Sequence, residues 1–277
     1  MKVSILLATY NSSRFLREQL DSLFSQTFKE WVLIVRDDGS TDDTAEIIKQ
    51  YQRQYKQIKI LQDADINVGP QESFMRLLKE TDSDYYFFCD HDDIWLPNKV
   101  SDSLQLIITV ENEHPGRPII VHSDLKVVDE NMQILSESFW KFSKINPNKL
   151  ESKNLIQVFN CVTGCTMVFN KRVKELSIPY PPSIPMHDWW LAIITLQNQG
   201  IIKHITKPTI LYRQHSKNEV GARNVNTSYF MKRIRNISYT FKGQKEIRNF
   251  LKAINGLNFI QYYYYKVLYT IQRNFLK

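Results

Sequence analysis

Three carboxylates, Asp90, Asp92 and Asp93, crowd together directly after the apolar run Tyr85 to Cys89, and Pro97 follows them. Acids at this spacing repel one another and resist burial unless a cation or a network of donors neutralises them. Oxygen ligands so placed suit a hard ion, Mg2+ or Mn2+, which readily shares its coordination with phosphate oxygens. The chemistry this stretch implies is a metal-bound phosphate ester at the end of a buried strand. The plain alternative is a solvated acidic turn that caps the next helix. A further carboxylate, Asp188, follows a proline-rich loop and opens a helix, flanked by His187, Trp189 and Trp190.

These side chains need elements to hold them. Val3 to Ala8 is an apolar run ending in Thr9-Tyr10-Asn11, and a helix is expected from about Phe15 to Ser25. Trp31 to Val35 is a second strand ending in Asp37-Asp38-Gly39-Ser40, followed by a helix to about Tyr55. Ile58 to Leu61 is a short strand, Asn67-Val68-Gly69-Pro70 a loop, Gln71 to Leu78 a helix, and Tyr85 to Cys89 the fourth strand. Strands alternating with helices predict a mostly parallel sheet covered on both faces, with ligands bound beyond the carboxyl ends of the strands. All four polar clusters fall on that rim.

Beyond a helix from Pro97 to about Val110, the pattern predicts a strand at Ile119 to His122 and a hairpin from Val127 to Leu135 that turns near Glu130 and Asn131. Further strands are expected at Thr163 to Phe169, with Gly164 near the start, at Ile201 to Ile205 and at Thr209 to Arg213. The three cysteines, Cys89, Cys161 and Cys165, lack zinc spacing and read as reduced structural thiols, which fits a cytosolic compartment. The amino-terminal run reads as a first strand and not as a signal peptide, and no run reaches membrane-span length. The net charge of +7 is unevenly spread: Ala222 to Lys277 holds eleven Lys or Arg against the single acid Glu246, a charge of +10, which leaves −3 for the rest.

In this order and spacing, Ser4 to Asn11, Asp37 to Asp42, Asn67 to Gly69, Asp90-His-Asp-Asp93 and His187-Asp-Trp-Trp190 resemble the successive motifs of inverting family 2 glycosyltransferases with the GT-A fold. The resemblance covers roughly residues 1 to 220. Asp90 to Pro97 and Tyr212 to His215 look most like the bacterial rhamnosyltransferase-like branch that builds cell-wall, capsule and O-antigen polysaccharide. It implies an α/β GT-A domain over 1–221, with a nucleotide-sugar half to about residue 110 and an acceptor half from 111, then a basic, aromatic helical tail over 222–277.

The resemblance also implies roles. Thr9, Tyr10, Asn11, Asp37, Asp38, Asn67, Asp90, His91 and Asp92 would bind the nucleotide sugar, with Asp37 accepting from the base ring and His91 a spacer between the acids. Asp90, Asp92 and His215 would hold Mn2+ or Mg2+, Asp188 would be the catalytic base, and Trp95, Gly164, His187 and Trp189 would face the acceptor. One of Trp189 and Trp190 is expected to pack inward. The chain departs from the family in having His187 where many members have Glu, and it lacks the Gln-x-x-Arg-Trp motif of processive synthases, which argues for addition of one sugar. The favoured donor is dTDP-L-rhamnose, with a UDP-sugar next, and the acceptor a lipid-linked or growing polysaccharide.

The tail reads either as a helical cover or as an attachment to the anionic inner face of a membrane, where each Lys or Arg contributes ~1 kcal/mol. Nucleic-acid binding lacks a recognition module. A nucleotidyltransferase would want a Gly- and Arg-rich phosphate loop after the first strand, an aspartyl phosphatase its acids at the first strand, and a dehydrogenase a GxGxxG there; none is present. A non-catalytic carbohydrate- or lipid-binding protein would not need both Asp92 and Asp188.

Overall fold

The computed structural model describes residues 1–63, 66–181, 184, 186–215 and 246–275. In chain order, the first half comprises β1 (Val3–Thr9), α1 (Leu16–Phe24), β2 (Val32–Asp37), α2 (Thr44–Gln54), β3 (Ile58–Ile60), α3 (Pro70–Glu80), β4 (Tyr85–Cys89), β5 (Ile94–Trp95) and α4 (Lys99–Glu113). The second half comprises β6 (Ile119–Ser123), β7 (Lys126–Val128), β8 (Ile134–Ser136), α5 (Phe139–Phe142), α6 (Pro147–Leu150), β9 (Val168–Asn170), α7 (Lys171–Ser177), α8 (His187–Gln197), β10 (Ile201–Ile205) and β11 (Ile210–Arg213). Two tail helices follow, α9 over residues 246–253 and α10 (Phe259–Phe275).

Seven strands form the main sheet in the order β10-β6-β9-β4-β1-β2-β3, and only β9 runs antiparallel to its neighbours. The strands read as unbroken apolar runs because both faces are covered. Ile5, Leu7, Phe87 and Cys89 point into one core with Leu16, Leu20 and Leu23 of α1 and Val100, Leu104 and Ile107 of α4. Leu6, Ala8, Tyr86 and Phe88 point into the other, with Phe74 and Leu78 of α3 and Trp190 and Leu191 of α8. Phe250 and Leu251 of α9 and Tyr262 and Tyr269 of α10 lie in this second core, so the described part of the tail covers that face of the domain. The boundary expected between 221 and 222 lies outside the described residues. No helix among them is long and apolar enough to cross a membrane.

Beside the main sheet, β5, β11, β7 and β8 form a second, four-stranded sheet in the order β5-β11-β7-β8. Tyr212, Val127 and Trp95 carry it into the first core. One expectation is corrected: Thr163 to Phe169 is not one strand, because Gly164–Thr166 winds into a 3-10 turn before β9 begins at Val168. The turn spends the Gly164 amide on Asp188 rather than on a neighbouring strand.

Candidate active site

β1, β2 and β4 are in-register parallel neighbours, so Thr9, Asp37 and the residues after Cys89 emerge together at their carboxyl ends. Asp37 accepts from Thr9 Oγ1 at 2.9 Å, from Ser40 N at 3.0 Å and from Ser40 Oγ at 2.6 Å. A carboxylate offers about four acceptor sites, so one remains for a ligand N–H. Asn11 takes a left-handed backbone, φ 45°, and its amide donates to Ser40 Oγ at 2.9 Å, which ties the first rim loop to the second. Tyr10 is 45% exposed beside it.

Asp38, expected on the donor side, is turned inward instead. It is 3% exposed and pairs with the fully buried Arg36 at 2.5 Å. The amides of Val68 and Gly69 donate to its two oxygens at 2.9 and 2.8 Å. Arg36 also reaches Asp63 at 2.8 Å and Ser73 at 2.8 Å. Asp38 and Arg36 therefore fix the Asn67–Gly69 loop from below, leaving Asn67 itself exposed on the rim.

At the end of β4, Asp92 and His215 meet, with Nε2 2.7 Å from Oδ2. Burial works against the Asp92 charge, but the His215 hydrogen bond and the nearby His91 and His215 hold its pKa below the usual carboxylate value. Asp90 is the opposite case: burial, then the charges of Asp92 and Asp188, push it up to about 7. Burial, then the charges of Asp92 and Asp90, also push Asp93 well up. Asp93 takes the Arg213 amide on Oδ1 at 3.2 Å, while its buried Oδ2 has no hydrogen-bond partner. The Asp90 and Asp93 carboxylates and Cys165 Sγ all lie within 4.8 Å of one another. His91 Nδ1 rests 3.3 Å from the Ala8 carbonyl.

Of the expected ion ligands, Asp92 and His215 are in contact, while Asp90 groups with Asp93 and Cys165 and feels the charge of Asp92. Carboxylates that raise one another's pKa, together with an unsatisfied buried oxygen, are what a divalent cation relieves, so the residues fit a hard ion. Arg213, 2% exposed, braces them: its Nε donates to the Asp92 carbonyl at 3.0 Å, its NH2 reaches Glu18, and its guanidinium lies 4.5 Å above Phe15.

Asp188 sits in the first turn of α8, where the helix dipole favours an anion. Its Oδ2 accepts the Gly164 amide at 2.9 Å, and its Oδ1 accepts the Trp189 amide at 2.5 Å and Asn160 Nδ2 at 3.2 Å. Burial nevertheless outweighs these donors and pushes its pKa up from 3.8 to about 7. Its charge contributes to the raised pKa of Asp90, so the two acids lie within electrostatic reach of each other.

The acceptor-side residues are corrected in part. Trp95 is 1% exposed, packed 5.9 Å from Phe87 and 4.5 Å from the Lys99 ammonium, so it is core and walls no cleft. His187 is 5% exposed between Phe74 and Phe88, and burial lowers its pKa to about 3. Its ring Nε2 would lie 2.8 Å from a Cβ at Gly164, so only glycine fits there. Trp190 is buried and donates to the Ser177 carbonyl, whereas Trp189 is half-buried and donates to Ile156 O, so one tryptophan does pack inward. Arg36, Asn160 and Arg213 are the site residues that sequence reasoning passed over, and it gives Asp93, one of the three acids after β4, no individual role.

Residues 4–176 match the family described as Glycosyl transferase family 2. Over 270 residues the chain is 29% identical to the dTDP-rhamnosyl transferase RfbG of Shigella flexneri, covering 92% of this chain and 86% of that one. It spans 49% of the length of two Rickettsia relatives that it also matches. Among solved structures, S. aureus TarS 1-349 in complex with UDP-GlcNAc has a TM-score of 0.59 at 21% identity, covering 91% of this chain and 72% of that one. The mannosyltransferase PcManGT of Pyrobaculum calidifontis, in complex with GDP-Man and Mn2+, gives 0.59 at 15% identity, covering 99% and 70%. The fold is GT-A, and the chain belongs to glycosyl transferase family 2.

Proposed function

We propose that this glycosyltransferase moves one sugar, with inversion, from dTDP-L-rhamnose to a lipid-linked or growing cell-surface polysaccharide, and that the transfer depends on Mn2+ or Mg2+. The observation that carries the reading is Asp188, a carboxylate held by three donors, tuned to about 7 and electrostatically coupled to Asp90. A general base works best when its pKa lies near the operating pH.

The nucleotide base would lie against Thr9, Tyr10 and Asn11, with the last free acceptor site of Asp37 taking a ring N–H. Asp90, Asp92 and His215 would hold the ion, which when bound neutralises charge gathering on the diphosphate leaving group. Asp188 accepts the proton of the acceptor hydroxyl as that oxygen attacks the anomeric carbon opposite the leaving group. Asn160 and the Gly164 amide keep its carboxylate turned toward that hydroxyl. Trp189 and the Gly164 turn would line the acceptor side. The RfbG likeness supports dTDP-L-rhamnose, and the UDP-GlcNAc complex of TarS makes a UDP-sugar the second choice.

The tail supports a cytoplasmic enzyme attached to the membrane's inner face. On α10, Ile260, Tyr264, Val267 and Ile271 form one exposed stripe at helical spacing, 78, 61, 56 and 47% exposed, while Tyr262 and Tyr269 anchor the opposite side in the core. Such a stripe, in a segment whose sequence carries a charge of +10, suits an anionic lipid surface. The protein should float with phosphatidylglycerol vesicles and stay behind with phosphatidylcholine ones; equal behaviour with both would remove the attachment.

The donor is tested by incubating the enzyme with Mn2+, lipid-linked acceptors from bacterial membranes, and dTDP-L-rhamnose, UDP-GlcNAc or GDP-mannose in turn. Mass spectrometry should show a single deoxyhexose added from the rhamnose donor. Exclusive transfer from another donor would overturn the sugar assignment, and a ladder of additions the single-sugar one.

A further inference from the structure

A second cluster of ligating side chains lies apart from the acids around Asp92. β10, the edge strand of the main sheet, pairs in parallel with β6, and the register sets His204 directly opposite His122. In-register neighbours on adjacent strands project to the same face, here the face that carries Ile120 and Ile202. Glu151, the residue after α6, reaches between them: its Oε1 lies 3.0 Å from His122 Nε2 and 2.6 Å from His204 Nδ1. One ligand atom from each of the three residues falls within 4.8 Å of the other two. Trp140 of α5 stands edge-on to both rings, with centroids at 5.6 and 5.4 Å, and closes one side.

We propose that His122, Glu151 and His204 form a zinc-class metal site, distinct in place and ligand type from the oxygen-rich site that would hold the hard ion. Two imidazoles and one carboxylate are a recurrent three-residue set for Zn2+, with the fourth position left to water. That set favours a borderline ion over Mg2+ or Mn2+. The distances are near those required. Tetrahedral bonds of about 2.0–2.1 Å put ligand atoms about 3.3 Å apart, so Glu151 would have to withdraw by about 0.3 Å from His122 and by about 0.7 Å from His204. His122 is 1% exposed, and without an ion its Nε2–H donates to Glu151, so a metal bound there would displace that proton and replace the hydrogen bond. Burial also favours the neutral ring that a metal requires.

The site has a structural use. The segment leading away from Glu151 supplies Asn154 to Tyr265 of α10 at 2.7 Å and Asn160 to the catalytic Asp188 at 3.2 Å. An ion on Glu151 would pin the start of that segment to the sheet edge, between the tail helix and the base.

The experiment uses the full-length protein stripped with a chelator, then titrated with Zn2+ alone against a chromophoric competitor in excess Mg2+, which occupies oxygen-rich ligands. Wild type and Asp92→Asn should each bind one tight equivalent. Glu151→Gln and His204→Gln should weaken it by about 100-fold or more, beyond the 10–100-fold that loss of an outer-shell partner costs. Co2+ added to wild type should give the visible bands of a four-coordinate site with nitrogen ligands, a readout that needs no variant to fold. Tight zinc retained by Glu151→Gln, its loss in Asp92→Asn, or a six-coordinate Co2+ spectrum in wild type would each overturn the assignment.

Discussion

Asp188→Asn is expected to lower kcat for sugar transfer by about 10²–10⁴-fold, the usual contribution of a general base, while the dissociation constant for the nucleotide stays at the wild-type value. The amide keeps the size of the side chain and can still accept the Trp189 amide, so α8 should start as before. What it cannot do is take a proton. The wild-type pH profile should carry the same signature. Because the deprotonated acid is the active form, kcat/KM should climb about tenfold per pH unit below 7 and level off above it, following the value of about 7 set by burial. The sign of the stability effect is the reverse. With a folded pKa above the unfolded 3.8, the fold favours the protonated acid, so this group's contribution is complete below pH 3.8 and is lost as pH rises through 7. On the proposed reading, the enzyme works with Asp188 in the less stable charge state. Retained turnover in Asp188→Asn, or a flat profile between pH 5 and 8, would place the base elsewhere.

Asp92→Asn should weaken Mn2+ binding in the presence of nucleoside diphosphate by about 100-fold or more, a larger loss than the 10–100-fold expected when only an outer-shell partner is removed. Asp92 is the acid in this cluster whose pKa is held low, by the His215 hydrogen bond, and so it is charged wherever the enzyme is active. Asp90 and Asp93 are raised by burial and by Asp92 itself. Removing Asp92 therefore takes away the one firmly ionised ligand and makes its neighbours easier to charge, which compensates only in part. The free-ion Mn2+ electron paramagnetic resonance signal reads this directly: it should vanish with wild type and dTDP and persist with the variant. An equal loss of signal in both would remove Asp92 from the ion site.

Much of this arrangement was legible before the fold was known, because the rim clusters end strands whose apolar runs are unmistakable. Tyr85 to Cys89 was placed to the residue, and Thr9, Asp37 and the acids after Cys89 do meet at one edge. The failures share a cause. Trp95 and His187 were read from neighbours in sequence, but side-chain direction depends on which face of β5 or α8 turns inward, and both turn toward the core. Asp38 looks identical to Asp37 in sequence, yet alternation along β2 sends it to the buried side, where Arg36 awaits it. Arg36 offered a signal that was passed over, a cation in an apolar strand beside two acids. Asn160 offered none, since it lies in a loop without periodicity and matters only through its contact with Asp188. The second sheet was hidden because β5 is two residues long and pairs with β11, more than a hundred positions away.

The most direct test of the account is calorimetric titration of the purified protein with dTDP, UDP, GDP and CMP, each with and without Mn2+. Binding of dTDP ahead of the others, and only when Mn2+ is present, is the predicted result. No metal-dependent binding to any of the four would contradict the assignment of Asp90, Asp92 and His215 to the ion and of the β1–β2 rim to the donor.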